Sequence, residues 1–263
     1  MPCLNIGGSS IFYVDEGDGP PLLFIHGWTC DVQDWVFQLP YFQALGYRTI
    51  AFDTRGHGRS SVPQEGSEAE LSPETTVNDA VMLLEQLGIT NARSVTVFGH
   101  SSGCLIASLL ALRQPTLVKA LVLISPMYYR PAAEGLAPGR KLDSDAHGFV
   151  NKIFEGSGTV ETPGWLTTWH RIRLLGVSEF VVREAAYQRE PLSSWESVQG
   201  ILPKRICPRL VTLPNELNRV KEKQLGMGMH DRIEVINSGH WMHLQDSSRF
   251  NTLVRDWLVH FST

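Results

Sequence analysis

A chain of 263 residues, 43% of them hydrophobic and 19% charged, can bury a large core as one domain with an insertion, which excludes a disordered chain. Its 23 basic and 27 acidic residues leave a net charge of −4. Apart from the Arg140-Lys141 pair the basic residues are scattered, which argues against a nucleic-acid partner. No run approaches the roughly 20 apolar residues of a membrane helix, so no membrane partner is expected. The start, Met1-Pro2-Cys3-Leu4-Asn5-Ile6-Gly7-Gly8, has neither the basic residues nor the apolar run of a secretory signal. Cys3, Cys30, Cys104 and Cys207 lack metal-site spacing, and a chain this long needs no disulfide framework, so the expected compartment is the reducing cytosol. The oligomeric state is not encoded in any of this.

The elements then follow in order. Ser10 to Val14 reads as a strand closed by the turn residues Asp15 to Pro20, and Pro21 to Ile25 as a second, short and apolar. Trp35 to Leu45 has helical character interrupted by Pro40, and Tyr47 to Phe52 is another strand. Ser72-Pro73-Glu74 is a helix entry, after which Val77, Ala80, Val81, Leu84 and Leu87 recur at helical spacing up to Gly88. Strand 94–98, helix 104–113, strand 120–124, strand 209–213, strand Arg232 to Ile236 and helix Arg249 to Phe261 complete the series. Strands that alternate with helices and are nearly all apolar belong to a mostly parallel sheet covered on both faces. Residues 128–200 break the rhythm: a Pro/Ala/Gly-rich stretch precedes helical pieces carrying Phe149, Phe154, Trp165, Trp169, Phe180, Tyr187 and Trp195. They read as a helical insertion, with 1–127 and 201–263 forming the core.

Gly99-His100-Ser101-Ser102-Gly103 joins strand 94–98 to helix 104–113. A serine held between glycines at such a turn is strained, its Oγ is lifted out of the packing, and the helix behind it favours developing negative charge. Ser101 is therefore the candidate nucleophile.

With His26-Gly27-Trp28 after the second strand, Phe52-Asp53-Thr54-Arg55-Gly56-His57-Gly58-Arg59-Ser60 after the next, the Ser101 turn, and Ser238-Gly239-His240 near the end, the chain resembles the α/β-hydrolase superfamily along nearly all its length outside the insertion. The resemblance implies an α/β fold whose second strand is antiparallel, a helical cap over 128–200, and an active site beneath it at the carboxyl ends of the strands. A serine nucleophile implies an acyl-enzyme and a base in reach, for which His240 is the candidate. The backbone N–H groups of Trp28 and Ser102 are the implied oxyanion donors. His26, His57, His100 and His243 are read as structural, Asp53 as serving its turn, and Cys104 as a packed small hydrophobe.

The acid departs from the pattern. Its usual position after strand 209–213 falls on Leu217, and the loop reads Pro214-Asn215-Glu216-Leu217-Asn218; the other family position, after strand 120–124, reads Ile124-Ser125-Pro126-Met127. Glu216 is the candidate, with Asp143, Asp145 or no acid as alternatives. Trp28, Met127, Tyr128, Trp165, Trp169 and Trp241 are expected to line an apolar pocket. The reading is a serine hydrolase of a carboxylic ester or lactone of a largely apolar small molecule, needing no cofactor and no metal. Its rivals are non-hydrolytic or C–C bond-cleaving chemistry on the same fold, cofactor-free dioxygenase chemistry included, and a non-catalytic ligand receptor.

Overall fold

A computed structural model describes residues 2–92, 94–127, 142, 144–157, 159, 162–192 and 194–262. Eight strands, β1 (Cys3–Ile6), β2 (Ser9–Glu16), β3 (Pro21–Ile25), β4 (Arg48–Phe52), β5 (Val95–His100), β6 (Val118–Ile124), β7 (Arg209–Leu213) and β8 (Arg232–Val235), form one sheet in the order β1-β2-β4-β3-β5-β6-β7-β8. β2 runs antiparallel to both β1 and β4, and every pairing from β4 onward is parallel. This is the α/β-hydrolase architecture that the motifs implied, with the antiparallel second strand in its place.

The helices are α1 (Leu39–Ala44), α2 (Pro73–Gln86), α3 (Gly103–Arg113), α4 (Ala146–Ser157), α5 (Gly164–Leu175), α6 (Glu179–Arg189), α7 (Trp195–Ile201), α8 (Arg219–Gln224), α9 (Met242–Gln245) and α10 (Ser247–Ser262). Side chains along a strand alternate between faces, and both faces here are apolar. Leu23, Ile25, Val97, Leu121 and Leu123 pack with Val77, Leu84, Leu105 and Leu110 of α2 and α3. Leu22, Phe24, Phe98, Val122 and Ile124 pack with Phe42 of α1 and Phe250, Val254 and Trp257 of α10. The second cluster centres on an aromatic group: the Phe24 ring lies 4.4 Å from Phe98 and 5.2 Å from Trp35.

α2 begins as its residues dictate. Ser72 Oγ accepts from the Thr75 N–H at 3.2 Å, Pro73 takes the first turn, and Gly88 at φ +73° follows the end. The stretch from Trp35 differs from the sequence expectation. Val32–Trp35 forms a single 3₁₀ turn capped by Asp31, and the helix proper starts only at Leu39, with Pro40 in its first turn where a missing N–H does no harm. β1 was not anticipated; Gly7 and Gly8, both at positive φ, make the two-residue hairpin that returns it onto β2. The short α8 and α9 were also missed.

Between β6 and β7 the chain forms α4 to α7. Phe154, Leu166, Leu174, Phe180, Val181 and Val182 of these helices share a cluster with Trp241 and Leu244 from the segment after β8, and Trp28 packs against it. α4, α5 and α6 are thereby fixed beside the loops that leave the carboxyl ends of β3 and β8, while α7 packs through Val198 against the sheet core.

Phe98 is fully buried between two aromatic neighbours. Phe98→Ala should cost about 3–5 kcal/mol of unfolding free energy in urea titrations, and a loss below about 1 kcal/mol would contradict the packing described.

Candidate active site

β5 ends at His100, and Ser101 follows at φ +54° before α3 begins at Gly103. A non-glycine residue in that region is strained by about 1–3 kcal/mol, so the neighbours must hold it there. The Ser101 N–H donates to the Ile124 carbonyl at the end of β6 at 2.9 Å. A Cβ on Gly99 would stand 2.5 Å from the Gly103 carbonyl oxygen, and one on Gly103 would stand 2.7 Å from that of His26. Both glycines are therefore steric requirements of the turn. A Cβ on Gly27 would lie 3.2 Å from that of Ser101, a tight contact, so the His26-Gly27-Trp28 loop runs directly against the serine. Trp28 and Ser102 line one small cavity with Gly27 and with Ala185 and Arg189 of α6.

His240 is carried on the loop after β8, where Gly239 at φ +84° turns the chain. Its Nδ1 is 2.7 Å from Ser125 Oγ. Ser125 itself sits one residue past β6 at φ +47°, its N–H donating to the Thr212 carbonyl of β7 at 2.8 Å. Ile124, whose carbonyl holds Ser101, is followed directly by Ser125, so the end of β6 touches both the Ser101 turn and His240. The backbone carbonyl of His240 in turn faces His100 Nε2 at 3.3 Å.

Glu216 is not brought to His240. It opens a 3₁₀ turn capped by Asn215, its side chain is 69% exposed, and its carboxylate pairs with Arg219 at 2.6 Å. An i,i+3 partner on the outer side of the turn draws it toward solvent. Leu217, at the usual acid position, is 81% exposed. Asp145 accepts from the Gly148 N–H at 2.7 Å at the start of α4, and Asp143 lies outside the described residues.

Beneath the site is a buried charge cluster that sequence reasoning missed. Asp34, fully buried, takes Arg173 Nη2 of α5 on Oδ1 at 2.6 Å and His100 Nδ1 on Oδ2 at 3.2 Å. Burial alone would raise the Asp34 carboxyl, but the Arg173 charge and the His100 hydrogen bond outweigh it and hold the group well below the usual carboxylate range. Arg173 also faces Asp31 at 3.4 Å and His170 Nδ1 at 3.2 Å, with its guanidinium 4.4 Å from the Trp169 ring. The available signal was spacing: Leu166, His170, Arg173 and Leu174 are the buried residues of α5, so a cation stands on its inward stripe. Cys30, Asp34 and His100 bring ligand-type atoms within 4.8 Å of one another. Arg173 already neutralises Asp34, and burial with the Asp34 charge pushes the Cys30 thiol up, so this donor set suits an ion pair and not a metal cation.

Of the expected pocket residues, Trp28 is half-buried, with its Nε1–H donating to the Val182 carbonyl at 3.1 Å. Trp241 is buried, its ring 4.9 Å from His240 and stacked at 4.0 Å on His170. Met127 and Trp169 are half-buried; Trp165 is exposed beside Trp169, their rings 6.1 Å apart; Tyr128 lies outside the described residues. His26, His57 and Asp53 hold the turn motif. His26 Nε2 accepts from the Thr54 N–H, and Asp53 accepts from the N–H groups of Val32 and Arg59. Burial, then the nearby His26, pushes His57 down to about 3.

The sequence profile of the alpha/beta hydrolase fold matches residues 20–158, more than half of the chain. The chain belongs to this family. A non-heme chloroperoxidase of Streptomyces lividans is 40% identical over 121 residues, 45% of this chain and 41% of that protein, so the match spans less than half of the relative's length. Among solved structures, a thermophilic esterase from Thermogutta terrifontis superposes with a TM-score of 0.82 at 21% identity, covering 99% of this chain and 97% of that one. The enol-lactonase from Burkholderia xenovorans LB400 gives 0.80 at 16% identity, covering 98% and 100%. At these identities the structural likeness is one of fold.

Two predictions concern this α/β-hydrolase's buried charges. Arg173→Met leaves Asp34 buried with its main cation gone and should cost about 3–5 kcal/mol in urea unfolding, of which added Asp34→Asn restores a large part; additive losses would contradict the pairing. His170 is likewise pushed down to about 3 by burial and by the Arg173 charge. A histidine buried neutral binds its proton only in the unfolded chain, so its contribution is complete above about pH 6.5 and is lost as pH falls toward 3. The pH dependence of stability in that window should flatten by up to about 1.4 kcal/mol per pH unit in His170→Gln, and an unchanged slope would count against a neutral His170.

Proposed function

We propose that this chain is a serine hydrolase that opens a carboxylic ester or lactone of a largely apolar small molecule through an acyl-enzyme. The observation that carries the reading is Ser101: a strained serine at the head of an apolar helix, pressed between the Gly27 loop and the end of β6, on the edge of the sheet where His240 stands against Ser125.

In this reading Ser101 Oγ attacks the substrate carbonyl carbon as its proton passes to His240 Nε2. The carbonyl oxygen becomes an oxyanion, held by the N–H groups of Trp28 and Ser102. Collapse breaks the bond to the leaving oxygen, which takes the proton from His240; in a lactone both products stay in one molecule. Water then attacks the acyl-enzyme, gives its proton to His240, and the carboxylic acid leaves as Ser101 recovers its hydrogen. The aromatic cluster of Phe154, Phe180, Trp241 and the half-buried Trp28 and Trp169 beside the site supports an apolar substrate, since aromatic surroundings exclude water and favour flat or greasy ligands. None of the four cysteines is in a disulfide and three are buried, which suits a reducing compartment, the cytosol.

Ser101→Ala should abolish turnover of small aryl esters with the fold retained, and His240→Ala should be nearly as severe. The double variant should be no worse than either single one, because groups acting as a unit lose their benefit together. Residual activity in Ser101→Ala within about tenfold of the parent, a barrier change of roughly 1.4 kcal/mol, would overturn the acyl-enzyme mechanism.

A further inference from the structure

We propose that Ser125 is the positioning residue for His240, a neutral hydroxyl standing where the family pattern has a carboxylate. The inference rests on the Ser101/His240 reading above and says what orients its base.

Three observations converge on it. Ser125 Oγ lies 2.7 Å from His240 Nδ1, a length typical of a good hydrogen bond. A ring nitrogen offers one in-plane direction, for either a lone pair or a hydrogen, so a partner at that distance takes it. Ser125 is also held in place by force: its φ of +47° is a region that side chains other than Gly, Asn and Asp seldom occupy, and the bond from its N–H to the Thr212 carbonyl keeps it there. Among the described residues, the carboxylates with a claim on this position are bound elsewhere. Glu216 pairs with Arg219 in solvent, Asp34 spends both oxygens on Arg173 and His100, and Asp145 caps α4.

The chemistry gives the contact its purpose. His240 can accept the Ser101 proton only on a bare Nε2, so its own hydrogen must sit on Nδ1 and meet an acceptor there. Ser125 Oγ supplies the acceptor lone pair. A hydroxyl fixes the ring and its tautomer as a carboxylate does, but it carries no charge to balance the imidazolium formed during the transfer. Ser125 therefore provides orientation without charge, and a carboxylate at the same position should provide both.

The test separates these roles. Wild-type protein is first treated with a fluorophosphonate probe; failure to label Ser101 would sink the hydrolase reading, whatever Ser125 does. The tautomer of His240 is then read from its ¹⁵N and ring-proton resonances in wild type and in Ser125→Ala. The proposal expects hydrogen on Nδ1 in the wild type, and loss of that single tautomer in the variant. The same tautomer in both, or hydrogen on Nε2 in the wild type, would overturn it, and this readout needs no turnover. Kinetically, Ser125→Ala should lower kcat on aryl esters by about 10- to 100-fold, the range of one lost hydrogen bond to a charged group, with KM within about threefold. Ser125→Asp, whose side chain tolerates the left-handed backbone, should raise kcat above that of Ser125→Ala by at least about tenfold. Equal kcat in wild type and Ser125→Ala would overturn the proposal, as would equal kcat in a folded Ser125→Asp and Ser125→Ala.

Discussion

The backbone at the carboxyl edge of the sheet is under strain, and the rest of the site depends on that. Three non-glycine residues among those described adopt positive φ: Thr29 on the loop after β3, Ser101 after β5 and Ser125 after β6. Each costs energy that an unconstrained loop would relax. The two serines persist because parallel neighbours hold them: Ser101 bonds to the end of β6 and Ser125 to β7, and Gly99 and Gly103 allow the main chains to approach so closely that no side chain fits between them. Of the two strained serines, Ser125 meets the His240 ring with its hydroxyl.

The Arg173–Asp34–His100 cluster ties that edge to the insertion. Arg173 comes from α5 and Asp34 from the turn after β3, while His100 immediately precedes Ser101 and faces the carbonyl of His240. Buried ion pairs add little net stability compared with apolar packing, but breaking one is costly. The pair joins α5 to the turn after β3, and Trp241, stacked on His170 and edge-on to His240, continues the same arrangement toward the base.

Much of this was legible in the sequence, for stated physical reasons. The order of apolar strands and helices, the glycines around Ser101 and the Ser72-Pro73 helix entry are local signals, and the sheet and α2 follow them. Beyond the short β1, α8 and α9, the misses at the site are non-local. Nothing within the sequence neighbourhood of Ser125 says that a loop 115 residues later will bring Nδ1 of His240 to its hydroxyl. The sequence offered Glu216 because it stands next to the usual position, but a one-residue offset in a 3₁₀ turn changes which way a side chain points, and Arg219 is a nearer partner. Asp34 and Arg173 are 139 residues apart, and only the inward spacing of Arg173 on α5 hinted that its charge is buried. Pro40 was recognised as a difficulty for a helix from Trp35, and the helix does start late, at Leu39.

The proposed reaction requires a covalent acyl intermediate on Ser101 Oγ during turnover. It is sought by rapid mixing with an excess of an aryl ester, acid quench, and mass spectrometry of the intact protein and its peptides. A transient gain of one acyl mass located on Ser101 is expected, and no such species in Ser101→Ala. Full aryl-ester turnover with no acyl mass at any quench time, or with the adduct on another residue, would contradict it.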